Sequence, residues 1–177
     1  MLEANLLPAI CGRVCPHEAL CEGSCVQGKH SDPVHTGALE AWVMDYQRRY
    51  GEVDVSTAPA NGHKVAVVGA GPSGLSCAQL LAEKGYQVTM FDNKPEAGGL
   101  LLYGIPNFKL CKELVIARID DIVSGMGVDF VPNTWVGKDK TVDDLLKEGY
   151  EAVYLAVGTW IDANMEIEGE DLPGVYK

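Results

Sequence analysis

The sequence has no apolar run long enough to span a bilayer, which excludes a transmembrane helix and leaves a soluble globular class as the expectation. It opens MLEANLLPAI, without the basic and apolar regions of a secretory leader, so the expected compartment is the cytoplasm. Basic residues are scarce: 14 Lys and Arg stand against 25 Asp and Glu, a formal net charge of −11. Nucleic-acid partners rely on Lys and Arg neutralising phosphates, so none is expected, and a bound nucleotide must be held mainly by backbone amides. The four histidines, His17, His30, His35 and His63, lie in stretches read as loops or near a helix start. None pairs with a nucleophile in the sequence, so no catalytic acid–base residue is assigned.

Six cysteines are present, and four of them, Cys11, Cys15, Cys21 and Cys25, fall within fifteen positions in CGRVCPHEALCEGSC. A reducing compartment argues for metal ligands or packed thiols over disulfides. The spacing lacks the paired CxxC knuckles usual for structural zinc, and Cys15-Pro16 is a familiar neighbour of cluster thiolates. Iron–sulfur is favoured, with zinc as the alternative. Residues 1–30 show little periodicity and read as a loop-rich segment organised by something other than a hydrophobic core. Asp32 and Pro33 then read as the cap and first residue of a helix whose core face carries Ala38, Leu39, Trp42, Val43 and Tyr46.

After the polar stretch 50–63 the texture changes. KVAVVG is a short strand, LSCAQLLAEKG a helix closed by Gly85, and QVTMFD a second strand: a βαβ unit with parallel strands. A further helix is expected in CKELVIARIDDIVSGMG, a strand near VDFVP, a capping box of Thr141 with Asp144, and a strand in AVYLAVG. Between strand and helix, VVGAGPSG sets Gly69, Gly71 and Gly74 in GxGxxG spacing, so a pyrophosphate is expected at the helix N-terminus. Asp92 ends the second strand 18 residues beyond Gly74, placed to accept hydrogen bonds from ribose hydroxyls. An acidic group there favours FAD or NAD over NADP; the alternative is that it caps a strand. Gly98 and Gly99 in PEAGGLLLYGIP let the chain pass close to a ligand, or mark an ordinary turn.

Together CGRVCPHEALCEGSC, DPVHTGALE, VAVVGAGPSGLSCAQLLAEKGYQVTMFD, GGLLLYGIPNFKL and AVGTWIDANMEIEGEDLPGVY resemble the glutamate synthase small-subunit family. That family includes the N-terminal part of dihydropyrimidine dehydrogenase and the large subunit of NADH-dependent ferredoxin:NADP oxidoreductase. The resemblance implies an α/β fold: a Rossmann-like FAD-binding parallel sheet preceded by a small α-helical iron–sulfur module. The implied division is a partial iron–sulfur module over 1–50, a linker over 51–63 and a partial FAD-binding domain over 64–177. It implies an FAD-dependent oxidoreductase passing electrons between NADPH, FAD and 4Fe-4S clusters.

The implied flavin contacts are Gly69, Gly71, Pro72, Ser73 and Gly74 in the first loop, Asp92, Asn93 and Lys94 after the second strand, then Gly99, Leu100, Lys109, Val136 and Gly158. Val136 matches a position whose backbone contacts the adenine, or is simply a core valine. Cys15, Cys21, Cys25 and Glu40 are the implied cluster ligands; Cys11 aligns with a cysteine generally not counted as one. On its residues alone, Glu40 reads as solvated helix surface.

Three cysteines and a carboxylate are fewer than the eight or so ligands of two cubanes, and no second GxGxxG occurs. The isolated chain is therefore expected to be incomplete and inactive, with another redox subunit or the rest of a longer chain supplying the remainder. Lys109 and Cys111 in FKLC depart from the family's FRLP; Cys111 is expected to be a packed thiol. Two other functions fit the residues: a non-catalytic FAD-binding or assembly module completed by another chain, and a zinc-stabilised nucleotide-binding protein.

Overall fold

The computed structural model describes residues 2, 4–51, 56–161 and 163–175. The chain opens with helix α1 (Pro8–Val14), two short 3-10 turns, and helix α2 (Thr36–Tyr50). Strand β1 (Lys64–Val68), helix α3 (Pro72–Glu83) and strand β2 (Gln87–Phe91) follow. Helices α4 (Leu100–Tyr103) and α5 (Lys112–Val123) lead to β3 (Asp129–Val131), then α6 (Val142–Lys147) and β4 (Ala152–Leu155). The four strands form one parallel sheet in the order β3-β2-β1-β4, with Val65 level with Val88 on one side and Ala152 on the other.

The inner strands are buried on both faces, as parallel sheets require, and this is why β1 and β2 read as almost unbroken apolar runs. Alternation along the strands sorts their side chains between two layers. Val67, Val88 and Met90 pack with Leu75 and Ala78 of α3 and Ile122 of α5, whereas Ala66, Val68 and Phe91 pack with Leu145 of α6. The capping box forms as expected: Thr141 Oγ1 accepts from the Asp144 amide at 3.1 Å, and Asp144 accepts from the Thr141 amide at 2.9 Å.

The Thr141 contacts hold the Asp144 carboxyl below its usual range. A depressed folded-state value stabilises above the ordinary carboxylate range and is lost as the pH falls through it. Thr141→Ala is expected to cost about 1 kcal/mol at neutral pH, and in thermal melts the gap to the unsubstituted protein should shrink on acidification. A gap that widens in acid would contradict the assignment.

Three expectations for the N-terminal region need correction. Residues 8–14 are helical, although the sequence reads as loop, because Leu7 and Ile10 find apolar partners in Leu101, Leu110 and Val115 far along the chain. Helix α2 starts at Thr36, not at Asp32–Pro33. Its first turn is satisfied from a distance: the Glu22 carboxylate accepts from the Gly37 amide at 3.2 Å, and that bond, with His35 adding to it, lowers the Glu22 carboxyl's pKa.

The apolar stripe of α2 is not its buried face: Leu39, Trp42 and Tyr46 are each more than half exposed, while Gly37 and Met44 are buried. Small residues decide this. A Cβ on Gly12 of α1 would lie 2.8 Å from the Gly37 carbonyl oxygen and the Ala41 amide, so the two backbones meet where only glycine fits.

Candidate functional site

The loop from β1 into α3 carries the three glycines, and their surroundings separate them into two kinds. Gly69 has φ +101°, and a Cβ there would lie 2.3 Å from the Ala156 carbonyl oxygen. A Cβ on Gly74 would lie 1.8 Å from the Gly69 carbonyl oxygen. Both are required by the fold itself, the first for its turn and the second for close helix–strand packing. Gly71 differs: its φ of −81° suits any residue, and a Cβ would meet nothing nearer than the Gly99 Cα at 3.8 Å. The protein leaves space at Gly71 that it does not use.

Gly99 faces that space. The Gly98 amide donates to the Ala70 carbonyl at 2.8 Å, and a Cβ on Gly99 would come within 2.7 Å of the Gly71 Cα. The two glycine segments thus touch, with φ +50° at Gly99. Pro72 and Ser73 open α3, whose first amides have no side-chain cap. Open amides at a twelve-residue helix are suited to a phosphate anion. The Ser73 hydroxyl lies 3.0 Å from the Tyr154 hydroxyl of β4.

Asp92 stands at the C-terminal end of β2, where Oδ2 accepts from the Ala70 amide at 2.7 Å and Oδ1 from the Lys94 amide at 2.9 Å. Each oxygen keeps a second lone pair for a ligand hydroxyl. Asp92→Asn should therefore weaken the loop itself. The carboxamide nitrogen would oppose one of the two amide donors, costing about 1–3 kcal/mol of stability without any ligand. Urea denaturation checks this; unchanged stability would mean that the loop does not depend on the carboxylate.

A cavity of about 260 Å³ opens beside Asp92, with Val68, Phe91, Val136 and Val157 as apolar walls and Asn93 and Thr134 as polar ones. Trp135 and Trp160 complete it. It is a little smaller than the ~300–1,000 Å³ of whole-ligand pockets, the size for one end of a dinucleotide. Of the residues expected to touch the flavin cofactor, Gly69, Asp92, Asn93 and Val136 line this cavity. Val136 also packs against the apolar layer of Ala66 and Phe91, as a core valine would.

The ammonium of Lys94 lies 5.6 Å from the Trp160 ring centroid and 5.8 Å from that of Tyr103. Leu100 and Lys109 are exposed and lie outside the cavity wall, as does Gly158, which has φ +74° and open space around its Cα. The sequence reading missed Trp135, Trp160 and Thr134. Their signal was adjacency, since Trp135 precedes Val136 and Trp160 follows Gly158 by two residues.

The cysteine segment gives a different result. Among the described residues, no three His, Cys, Asp or Glu side chains are drawn together in a way that could hold a metal ion. Glu40 accepts from Asn5 Nδ2 at 2.7 Å, and Cys11 Sγ lies 3.7 Å from Asn5 Oδ1. Backbone bonds to Val34 and Gln27 lower the pKa of the Cys25 thiol, an environment that favours thiolate. Cys15, Cys21, Cys25 and Glu40 do not by themselves form a closed four-ligand set.

Outside that segment, Cys77 is half-buried against the core, and burial raises its pKa. Cys111 is not the packed thiol expected: it is exposed at the N-terminus of α5 and donates to Glu113 at 2.8 Å. No helix among the described residues is long and apolar enough to cross a membrane.

Residues 1–52 match the family model of dihydropyrimidine dehydrogenase domain II, 4Fe-4S cluster, and residues 67–105 match that of an NAD(P)-binding Rossmann-like domain. The small chain of NADPH-dependent glutamate synthase from Escherichia coli is 46% identical over 98% of this chain, which spans 37% of that protein. The corresponding Bacillus subtilis small chain is 41% identical over 99% of the chain and 35% of the relative. The NADPH-Fe(3+) oxidoreductase subunit beta of Geobacter sulfurreducens is 40% identical over 93% of this chain and 24% of the relative.

Among solved structures, the Mycobacterium tuberculosis oxidoreductase FprA in complex with NADPH superimposes with a TM-score of 0.56 at 28% identity, covering 67% of this chain and 27% of that one. The Rossmann-like sheet, the N-terminal match and the identity across nearly all of these residues converge: over almost its whole length the chain is similar to glutamate synthase small chains, and it spans about a third of their length.

Proposed function

We propose that this chain is the FAD-binding and cluster-bearing portion of an NADPH-dependent oxidoreductase of the glutamate synthase small-chain type. The observation that carries the flavin reading is the unused space at Gly71, bounded by Gly99 and the uncapped start of α3. Nothing among the described residues fills the space that glycine leaves at that position, and this space admits a ligand whose phosphates approach the backbone.

In this reading Gly71, Pro72 and Ser73 receive the pyrophosphate, with Gly69 and Gly74 shaping the loop. Asp92, Asn93 and Lys94 hold the adenosine ribose side, and Gly99, Leu100, Lys109, Val136 and Gly158 complete the contact set. When bound, the flavin supplies the electron-transfer chemistry, and the protein binds and orients it. The reading divides the chain into a cluster module over residues 1–50 and a flavin domain over 64–177. Cys15, Cys21, Cys25 and Glu40 would contribute to clusters together with ligands from another redox subunit or from further parts of a longer chain. Electrons would pass between NADPH, FAD and the clusters in that assembly, and the cytoplasm is the proposed compartment.

The test is spectroscopic. Purified chain mixed with FAD and desalted should retain a flavin absorption band, and co-production with its completing partner should add iron and acid-labile sulfide. A chain that retains no flavin under either condition would overturn the reading.

A further inference from the structure

We propose that Trp135 and Trp160 form an aromatic wall that recognises the adenine ring of the dinucleotide, an inference that rests on the flavin reading above. The two indoles come from separate loops, Trp135 beyond β3 and Trp160 beyond β4, yet line one cavity together with Asp92 and Asn93. Their centroids are 6.4 Å apart and their planes 30° from parallel. That is the wide end of the range for contacting rings. The pair is stacked with an offset, and with 51% and 62% of their surfaces exposed both indoles keep aromatic area for a ligand.

The Trp135 backbone and the Trp160 ring are each held before any ligand arrives. The Trp135 amide donates to Asp139 Oδ2 at 2.9 Å, and Trp160 Nε1 donates to the Val157 carbonyl at 2.6 Å. Lysine ammonium groups back them, Lys138 at 5.9 Å from the Trp135 ring and Lys94 at 5.6 Å from that of Trp160. A planar base stacked here loses less to ordering the protein, because the Trp135 loop and the Trp160 indole are already held by these contacts.

The direction of the ligand follows from the order of groups along the site. With phosphates at Gly71 and a ribose at Asp92, the next group outward from the ribose enters the indole-lined cavity. That group is the base. Its π-face needs a stacking platform more than a hydrogen-bond code, and two indoles supply one. The isoalloxazine ring, at the other end of the pyrophosphate, lies away from it.

The experiment uses the full chain carrying Trp42→Phe, which leaves Trp135 and Trp160 as the fluorophores. It is titrated with FAD, ADP and FMN, affinities being checked by equilibrium dialysis. FAD and ADP should quench the indole emission and FMN, lacking adenine, should not. Trp135→Ala and Trp160→Ala should each weaken FAD and ADP roughly 5- to 150-fold, the range for losing one base-stacking ring. Trp135→Phe should restore most of the loss, and circular dichroism should show all variants folded.

Unchanged FAD affinity in both alanine variants would overturn the aromatic wall and leave the flavin reading standing. FMN binding as tightly as FAD would do the same. Failure of the unsubstituted protein to bind either FAD or ADP would overturn both.

Discussion

Gly71→Ala is expected to lower FAD affinity roughly 5- to 150-fold, the equivalent of about 1–3 kcal/mol of overpacking against the ligand, while leaving the fold intact. The added methyl group enters the space between Gly71 and Gly99, where the protein offers nothing closer than 3.8 Å. Its backbone angles are ordinary, so the folded chain without ligand should change in stability by no more than about 0.5 kcal/mol. Gly74→Ala should behave oppositely. Its Cβ would sit 1.8 Å from a backbone carbonyl oxygen, so helix and strand must separate, at a cost of about 3 kcal/mol or more. Thermal melts of the ligand-free variants, followed by flavin retention on a desalting column, distinguish the two. Full flavin retention by the Gly71 variant would remove the main support for a pyrophosphate at this loop.

The second large effect is expected at Arg118, a charged side chain only 3% exposed. Its guanidinium donates to the Leu6 carbonyl at 2.9 Å and to the Gln79 side chain, and stands 3.5 Å from Asp121. Asp121 in turn accepts from Arg48 of α2 at 2.8 Å. One residue of α5 therefore ties the N-terminal segment, α3 and α2 together. Burial lowers the Arg118 pKa, and the Asp121 charge opposes that shift.

Arg118→Met keeps much of the apolar stem but strips the donors from the buried Gln79 side chain and the half-buried Leu6 carbonyl. The expected loss is about 3 kcal/mol, a fall in Tm of roughly 6–12 °C for a chain of this size. Limited trypsin digestion should then release the N-terminal segment before the sheet domain is cut. A Tm within 2 °C of the unsubstituted protein would show that the clamp contributes little.

The elements of the sheet domain were legible because each has a local cause. Val65–Val68 is apolar throughout and Val88–Phe91 is broken only by Thr89, as strands buried on two faces require, and the glycine loop between them follows a fixed spacing. Thr141 and Asp144 announce α6 through a bond made within four residues. The N-terminal segment has no such self-contained cause. Helix α1 is two turns long and contains a glycine, so its stability comes from partners such as Leu110 and Val115 about a hundred residues away. The buried face of α2 was misread for a related reason: close backbone approach at Gly12 and Gly37 outweighs the larger apolar area of Leu39, Trp42 and Tyr46.

The sequence by itself therefore determined the parallel βαβ core, the glycine loop and the acidic residue at the end of β2, since turn chemistry and strand burial are written in adjacent residues. Only the tertiary structure decided which glycine the fold can spare, which residues line the cavity beside Asp92, and that Arg118 ties the two parts of the chain together. Those properties depend on distances between segments far apart in sequence, such as Gly71 with Gly99, Trp135 with Trp160, and Leu6 with Arg118, and no local pattern encodes them.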